Sequence, residues 1–410
     1  MPDSIVIAGA GHAAGQTAVS LRQGGHDGRI VIVGEEPYLP YQRPPLSKKF
    51  LAGELELERL YLRPERYYTE HDVELRLNTR VTAIDRDRKT LKLNDDSELA
   101  YSRLVLATGT RVRTLGMDGE TLDGVHYLRT VDDVLALRDD FKPGARLVVL
   151  GAGYIGLEVA AVAVQAGLAV SVWEIAERVL ARVASPELSA FYQQVHTDAG
   201  VELKLGGAAL AEIRGDGRVE SVVDSEGVEH PADLVLIGVG VLPVTDIAEA
   251  AGLPCDNGIL VDEFCQTEDP DILAIGDCTN HPNSLLGKRL RLESVHNAQE
   301  QAKTAAATLL GNPKAYAQVP WFWSDQYDLK LQIAGLAEPG CERVVRGETG
   351  ARSLAVFHLA NGELQAVEAV NSAREFMLGK KLIAAKAILD PKALADTSLP
   401  FKEQAEAALG

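Results

Sequence analysis

The chain has 410 residues, 46% of them hydrophobic and 24% charged, which suits a globular protein of two or three domains. Its formal net charge of −18 argues against nucleic acid or an anionic membrane as the main partner. No stretch reaches the roughly 18–20 consecutive apolar residues of a membrane span, and "MPDSIVIAGAG" enters a strand without a leader pattern. A soluble, cytoplasmic protein is therefore expected. Four cysteines (Cys255, Cys265, Cys278, Cys341) are scattered without metal-ligand spacing and read as buried, reduced thiols.

The first elements read strand, Gly-rich turn, helix, strand: "SIVIAG", "HAAGQTAVSLRQGG", "RIVIVGEE". This is a βαβ unit of a parallel sheet. Gly9 and Gly11 fit the first two glycines of a dinucleotide turn, and Ala14 takes the third, small position beside Gly15. The first glycine allows the tight turn, the second lets backbone approach a pyrophosphate, and the third lets helix pack on strand. The helix N-terminus then presents free N–H groups to phosphate. Glu35 follows at the spacing where a carboxylate accepts ribose hydroxyls. "PYLPYQRPPLSKKFLAG" is Pro-rich and must leave the sheet. "LVLATGTRV", Leu104–Val112, reads as another buried strand running into the small-residue turn Ala107, Thr108, Gly109.

The grammar then repeats. "RLVVLGAGYIGLEVAAVAVQAGLAVSVWE" is strand, turn, helix and strand, with Gly151, Gly153 and Gly156 in the full pattern, Tyr154 and Ile155 inside it, and Glu174 ending the second strand. An acid there favours NADH, because a 2′-phosphate about 5 Å from a half-buried carboxylate costs roughly 2–3 kcal/mol. Arg178 and Arg182 lie close enough in sequence to soften that preference, although a solvated helix face is the commoner reading for them. "DLVLIGVGVLP", Asp233–Pro243, echoes "RLVLATGTRV" and includes Gly240. Two such turns imply two dinucleotides: FAD held permanently, and a nicotinamide nucleotide that comes and goes.

"DILAIGDCTN" is a further strand ending in Gly-Asp, and "NAQEQAKTAAATLLG" is a helix ended by Gly311 and Pro313. From Trp321 the pattern suggests two or three antiparallel strands followed by helices, with "ANGE" as a hairpin turn. The expected class is α/β: two Rossmann-like dinucleotide-binding units and a third, C-terminal α+β domain.

The motifs "GAGHAAG", "RPPLSK", "LVLATG", "GAGYIGLE", "DILAIGD", "LESVHNAQEQA" and "PWFWSDQYDLKLQIAG" resemble the FAD-dependent, NADH-using ferredoxin reductases of bacterial oxygenase systems, the putidaredoxin reductase type. The resemblance covers nearly the whole chain, with small departures at His12 and Ala14. It implies an FAD domain, 1–113 and 240–318, interrupted by an NAD domain, 114–239, and then a C-terminal interface domain, 319–410. It also implies roles position by position. Ala13 lies in the FAD phosphate turn and Glu35 meets the FAD ribose. Arg43 and Lys48 approach the flavin, Val81 meets the adenosine, and Arg129 contacts FAD. Asp277 holds the ribityl-phosphate region, Val295 the pyrimidine edge, and Trp323 lies near the ring on the acceptor side. Lys48 beside the flavin would stabilise the anionic reduced ring; the family pairs it with Glu158, and the buried pair would neutralise both charges and position the nicotinamide.

The activity implied is NADH:ferredoxin oxidoreduction, with electrons leaving singly to a [2Fe–2S] ferredoxin that serves a haem monooxygenase or a Rieske dioxygenase. A rubredoxin reductase or an NADH oxidase would use the same fold, as would a redox-sensing interaction protein resembling apoptosis-inducing factor. Disulfide or peroxide reduction by a thiolate is unsupported, since the first cysteine is Cys255. No metal-ligand cluster appears. An acidic ferredoxin would be repelled by the net charge, so a local basic patch is expected from Arg63, Lys303, Lys330, Lys380 and Lys381. A monomer or weak dimer is expected.

Overall fold

The computed structural model describes residues 4–207 and 209–410. The chain divides into two compact units. The first takes Met1–Gln42, Leu57–Arg111 and Leu242–Pro320; the second takes Arg43–Glu56, Val112–Val241 and Trp321–Gly410.

The first unit is built on a five-stranded sheet in the order Ile272–Ala274, Arg103–Leu106, Ser4–Ala8, Arg29–Val33, Val73–Arg76. Every pairing is parallel. Uninterrupted apolar runs suit such strands, because both faces are covered. Ile5 and Ile7 point to one face, where Ala14, Ala18 and Leu21 of helix His12–Gln23 meet Ala302 and Ala305 of helix Val295–Leu309. Val6 and Ala8 point to the other, against Val81, Leu91 and Leu99 of a three-stranded antiparallel sheet.

The second unit repeats this plan. Its parallel sheet runs Glu202–Leu205, Ala169–Glu174, Arg146–Leu150, Leu234–Ile237, Val125–His126. Here too a three-stranded antiparallel sheet (Leu210–Asp216, Arg218–Asp224, Glu229–Pro231) covers one face, with Ile213, Val219 and Val222 against Val148, Trp173 and Val235. The register makes the turns equivalent: the Gly9 N–H donates to the Val33 carbonyl at 2.8 Å, and the Gly151 N–H to the Trp173 carbonyl at 2.8 Å.

The C-terminal segment departs from expectation. It forms five antiparallel strands rather than two or three, in the order Trp321–Gln326, Leu329–Gly335, Glu363–Val370, Ser353–Ala360, Glu342–Glu348. The two outer strands escaped the sequence pattern for different reasons. Trp321–Gln326 buries the polar Ser324 and Gln326, and Glu342–Glu348 buries only Val344 and Arg346. The "ANGE" turn forms as expected: Ala360 pairs with Glu363 around Asn361 and Gly362, both at positive φ. Helices Ala373–Ala384, Pro391–Ala395 and Phe401–Leu409 follow.

Candidate functional site

In the first unit, Gly9 sits at φ +117°, and a Cβ there would lie 2.1 Å from the Ala107 carbonyl oxygen, so only glycine fits. A Cβ on Gly11 would meet nothing within 4 Å, which leaves the outer side of the turn open for a pyrophosphate. The helix that starts at His12 has no side-chain cap and no acid in its first turn. Its leading N–H groups therefore suit an anion.

A second wall comes from the turn Gly276–Cys278, which carries Asp277. A Cβ on Gly276 would lie 3.3 Å from Ala13, so turn and helix approach closely. Helix Val295–Leu309 starts beside them, with Ser294 capping it by accepting from the Asn297 N–H at 3.0 Å. Thr108 donates to the Val244 carbonyl at 2.7 Å and Gly109 turns at φ +66°, which fixes the end of the Leu104–Leu106 run. Val81 opens its strand buried. Glu35 is exposed, and its nearest cation is Arg80 at 3.8 Å. The open turn and the uncapped helix start offer the donors that a dinucleotide such as FAD requires.

The second turn is tighter at its third glycine. Gly151 is at φ +97°, and a Cβ would lie 2.5 Å from the Gly238 carbonyl oxygen. A Cβ on Gly153 would meet nothing within 4 Å, while one on Gly156 would lie 2.1 Å from the Gly151 oxygen. At the equivalent place in the first turn Ala14 is tolerated, fully buried. The small residue has moved one place along: a Cβ on Gly15 would come within 2.9 Å of Leu62. The two acids also differ. Glu174 accepts from the Ala152 N–H and the Ala176 N–H, both at 2.9 Å, so it is bound into the second turn. By register Gly34 is its equivalent, and Glu35 lies one residue beyond. Arg178 is occupied by the Ala184 and Ala181 carbonyls and Ser189, a structural duty. Tyr154 opens the helix with Ile155 exposed beside it, and Gly240, just past the end of the neighbouring strand Leu234–Ile237, accepts from the Arg113 N–H at 3.0 Å.

Glu158 lies on the same helix, 2% exposed. Its Oε2 accepts from the Lys48 ammonium at 2.6 Å and from the Ser47 hydroxyl at 2.5 Å; its Oε1 accepts from Ser324 at 2.6 Å. Burial pushes this carboxyl above the usual range, against the pull of Lys48, Ser324 and Ser47. Lys48 also donates to the Pro44 carbonyl at 3.1 Å. Arg43 donates to the Arg129 carbonyl at 2.6 Å, and the Arg129 N–H is held by Asp133 at 2.9 Å. Trp323 is half-buried, its ring 5.3 Å from Trp321.

The Pyridine nucleotide-disulphide oxidoreductase family matches residues 3–302 of the chain. This protein belongs to that family. A Reductase C-terminal domain matches residues 321–405. Rhodocoxin reductase of Rhodococcus erythropolis is 43% identical over 97% of this chain and 93% of its own. The ferredoxin–NAD(+) reductase component of the anthranilate 1,2-dioxygenase system of Burkholderia cepacia is 44% identical over 98% of both. The crystal structure of the covalent putidaredoxin reductase–putidaredoxin complex superposes with a TM-score of 0.96, at 41% identity over 99% of both chains.

Three of the four thiols are unsuited to redox work, and the expectation that all four are buried fails at Cys255 and Cys341, which are half-buried. Cys265 and Cys278 are fully buried, and burial pushes both thiols up; Cys255 is pushed up to about 11 by burial. Among the described residues no group of acids, His and Cys could hold a metal ion. No helix among them is long and apolar enough to cross a membrane.

The five candidate cations for a partner are placed as follows. In the first unit, Arg63 is exposed over the Tyr67 ring, and Lys303 is exposed but paired with Glu300 at 2.6 Å. In the second, Lys330 and Lys381 are exposed, and Lys380 lies half-buried with its ammonium over Trp321 at 5.7 Å.

Sequence reasoning missed three polar residues. Ser47 stood next to Lys48 in "RPPLSK", so adjacency could have flagged it. Ser324 gave no signal, being a small polar residue in a strand. Gln301, fully buried, accepts from the Gly276 N–H at 2.6 Å and from Thr279 at 3.1 Å, and so pins the Asp277 turn to its helix.

Proposed function

We propose that this protein is an NADH:ferredoxin oxidoreductase that passes electrons from NADH through FAD to a [2Fe–2S] ferredoxin, in supply of a haem monooxygenase or a Rieske dioxygenase. The observation that carries the reading is the pair of uncapped phosphate turns in one chain, the second closed by Glu174. The relatives are named for the same work. In this reading 1–113 and 240–318 hold FAD, 114–239 hold NADH, 319–410 face the ferredoxin, and the protein works in the cytoplasm.

The flavin supplies the conversion of a hydride's electron pair into single-electron transfers. The chain binds, orients and sets charge. Gly9, Gly11, Ala13 and Asp277 hold the FAD phosphates and ribityl chain; Val81 and Glu35 meet its adenosine. Gly151, Gly153 and Gly156 seat the NADH pyrophosphate, and Glu174 accepts from its adenosine ribose. A carboxylate there repels the 2′-phosphate of NADPH. Glu158 holds Lys48 in place as a cation, which favours the reduced flavin. Arg43, Arg129, Val295 and Trp323 keep the flavin contacts that the resemblance assigns.

The test is anaerobic turnover of the purified holoprotein with NADH and a [2Fe–2S] ferredoxin. Fast ferredoxin reduction is expected, with slow NADH consumption in air when no carrier is added. Rapid oxygen consumption without ferredoxin would identify an oxidase. Preference for rubredoxin would shift the acceptor class. Slow flavin reduction with a long-lived charge-transfer band would favour a redox sensor.

A further inference from the structure

Glu158 stands at one end of a buried chain of side chains within the second unit. Ser324 donates to its Oε1 at 2.6 Å. Gln326 Nε2 donates to Ser324 Oγ at 3.1 Å. His196 Nε2 lies 2.8 Å from Gln326 Oε1, and Tyr327 Oη lies 3.1 Å from His196 Nδ1. Ser324, Gln326 and His196 are each at most 1% exposed. Four elements take part: helix Tyr154–Gln165, strand Trp321–Gln326, helix Pro186–Asp198, and the turn at Tyr327.

With Glu158 ionised, the proton positions follow from donor and acceptor chemistry and from burial. A carboxylate only accepts, so Ser324 spends its single proton on Glu158. Ser324 must then accept from the amide, which fixes Gln326 with its NH₂ toward Ser324 and its carbonyl toward His196. A carbonyl only accepts, so His196 carries its proton on Nε2. Burial disfavours the imidazolium, so Nδ1 is bare and Tyr327 donates to it. Every donor points the same way, from Tyr327 toward Glu158. Aligned hydrogen bonds polarise one another, and the sum favours negative charge at the receiving end.

A buried ion pair can discharge itself by moving a proton from the Lys48 ammonium to Glu158, leaving amine and acid. Desolvation drives that transfer, and donors aimed at the carboxylate oppose it. We propose that Ser324, Gln326, His196 and Tyr327 are positioning residues that hold Glu158 as a carboxylate, and thereby Lys48 as its cation, during hydride transfer from NADH. This rests on the functional reading given above for Glu158 and Lys48.

The experiment uses the FAD-loaded holoprotein. Histidine-selective ¹⁵N labelling, assigned with His196→Asn, should show a protonated Nε2 and a bare Nδ1 for His196. Isotope-edited infrared spectra, assigned with Glu158→Gln, should show no protonated Glu158 at neutral pH in the wild type. In Gln326→Leu that protonated band should appear. Flavin reduction by NADH should slow about tenfold, the scale of a lost hydrogen bond to a charged group, with KM for NADH little changed. Ser324→Ala should behave likewise, and Ser324→Thr should abolish the protonated band and restore the wild-type rate. Should Gln326→Leu not fold, Tyr327→Phe loses one hydroxyl at the outer end and should still shift the His196 Nδ1 resonance and weaken the rate. Absence of the Glu158 band in Gln326→Leu and Ser324→Ala, with rates within twofold of wild type, would overturn the chain. Full-speed flavin reduction in Glu158→Gln would overturn instead the functional role of Glu158.

Discussion

Adding one methyl group at Gly156 should cripple the nicotinamide site and leave the flavin in place. The Cβ of Gly156→Ala would sit 2.1 Å from the Gly151 carbonyl oxygen, where real contacts keep at least 3.0 Å, and 3.2 Å from Val149. The obstacle is backbone of the same turn, so no side chain can swing aside. Turn and helix must part by about 0.9 Å, the shortfall between those two distances. Forced overpacking of this kind costs about 1–3 kcal/mol. A displacement near 1 Å at a positioning element can cost about 100-fold in rate. The expected result is a kcat/KM for NADH lowered about 10- to 100-fold, with most of the loss in KM. FAD content should stay at wild-type level, because Gly9 and Gly11 lie in the turn of the other unit, between strand Ser4–Ala8 and helix His12–Gln23. Steady-state kinetics, direct NAD⁺ binding and the flavin absorbance of the purified variant measure the three quantities. Ala14→Gly at the equivalent place in the first turn is the control, since it removes a methyl group and should change FAD retention little. A Gly156→Ala protein with wild-type KM for NADH would refute the reasoning, as would one that lost FAD while keeping NADH affinity.

Glu174→Gln removes the charge but keeps one acceptor for the Ala152 and Ala176 N–H groups. NADH should outperform NADPH by about tenfold or more in the wild type, and the variant should narrow that ratio; an unchanged ratio would remove Glu174 from the ribose. Asp233 has its carboxyl held down to about 2, chiefly by a hydrogen bond from the Arg146 side chain. A depressed pKa stabilises the fold above the unfolded value of 3.8 and loses that contribution as pH falls through about 2. Asp233→Asn should therefore flatten the acid limb of a stability-versus-pH curve across that window, and an unaltered slope would count against the pair. Ferredoxin reduction should slow as salt rises to 0.1 M, where screening lengths fall to about 10 Å, while a small neutral acceptor is barely affected. Lys303→Glu together with Lys380→Glu should raise KM for ferredoxin about fivefold or more and spare KM for NADH; equal salt sensitivity with both acceptors would move the docking surface elsewhere.

The parts of this molecule that were legible in its sequence are those where one residue type answers one geometric demand. Gly9 and Gly151 are required by positive φ and a neighbouring carbonyl, so the turns announce themselves. Asn361-Gly362 is equally diagnostic of its hairpin. The Lys48–Glu158 pair was reachable only through resemblance, since 110 residues separate the partners. The outer strands of the C-terminal sheet were illegible because burial there does not follow polarity: Ser324 and Gln326 are inside. They are inside because Glu158 and His196 give them partners, and such partners come from elsewhere in the chain. Glu35 and Glu174 looked alike at similar spacing, yet one is solvent-exposed and the other is bound to its own turn.

The order of strands in the first sheet has a consequence during synthesis. Arg103–Leu106 is paired on one side by Ser4–Ala8 and on the other by Ile272–Ala274. The parallel sheet of the second unit draws all its strands from Val125 to Ile237. On the ribosome it can close while the earlier sheet still lacks its edge. Ribosomes add roughly 5–20 residues per second, so Leu104, Val105 and Leu106 wait on the order of ten to thirty seconds for Ile272 to emerge. During that interval a fully apolar strand edge, buried in the finished protein, is open to any neighbouring nascent chain. Crowded polysomes are therefore the setting in which this chain is most exposed to mispairing, and chaperones that cover strand edges would act on it before the flavin can.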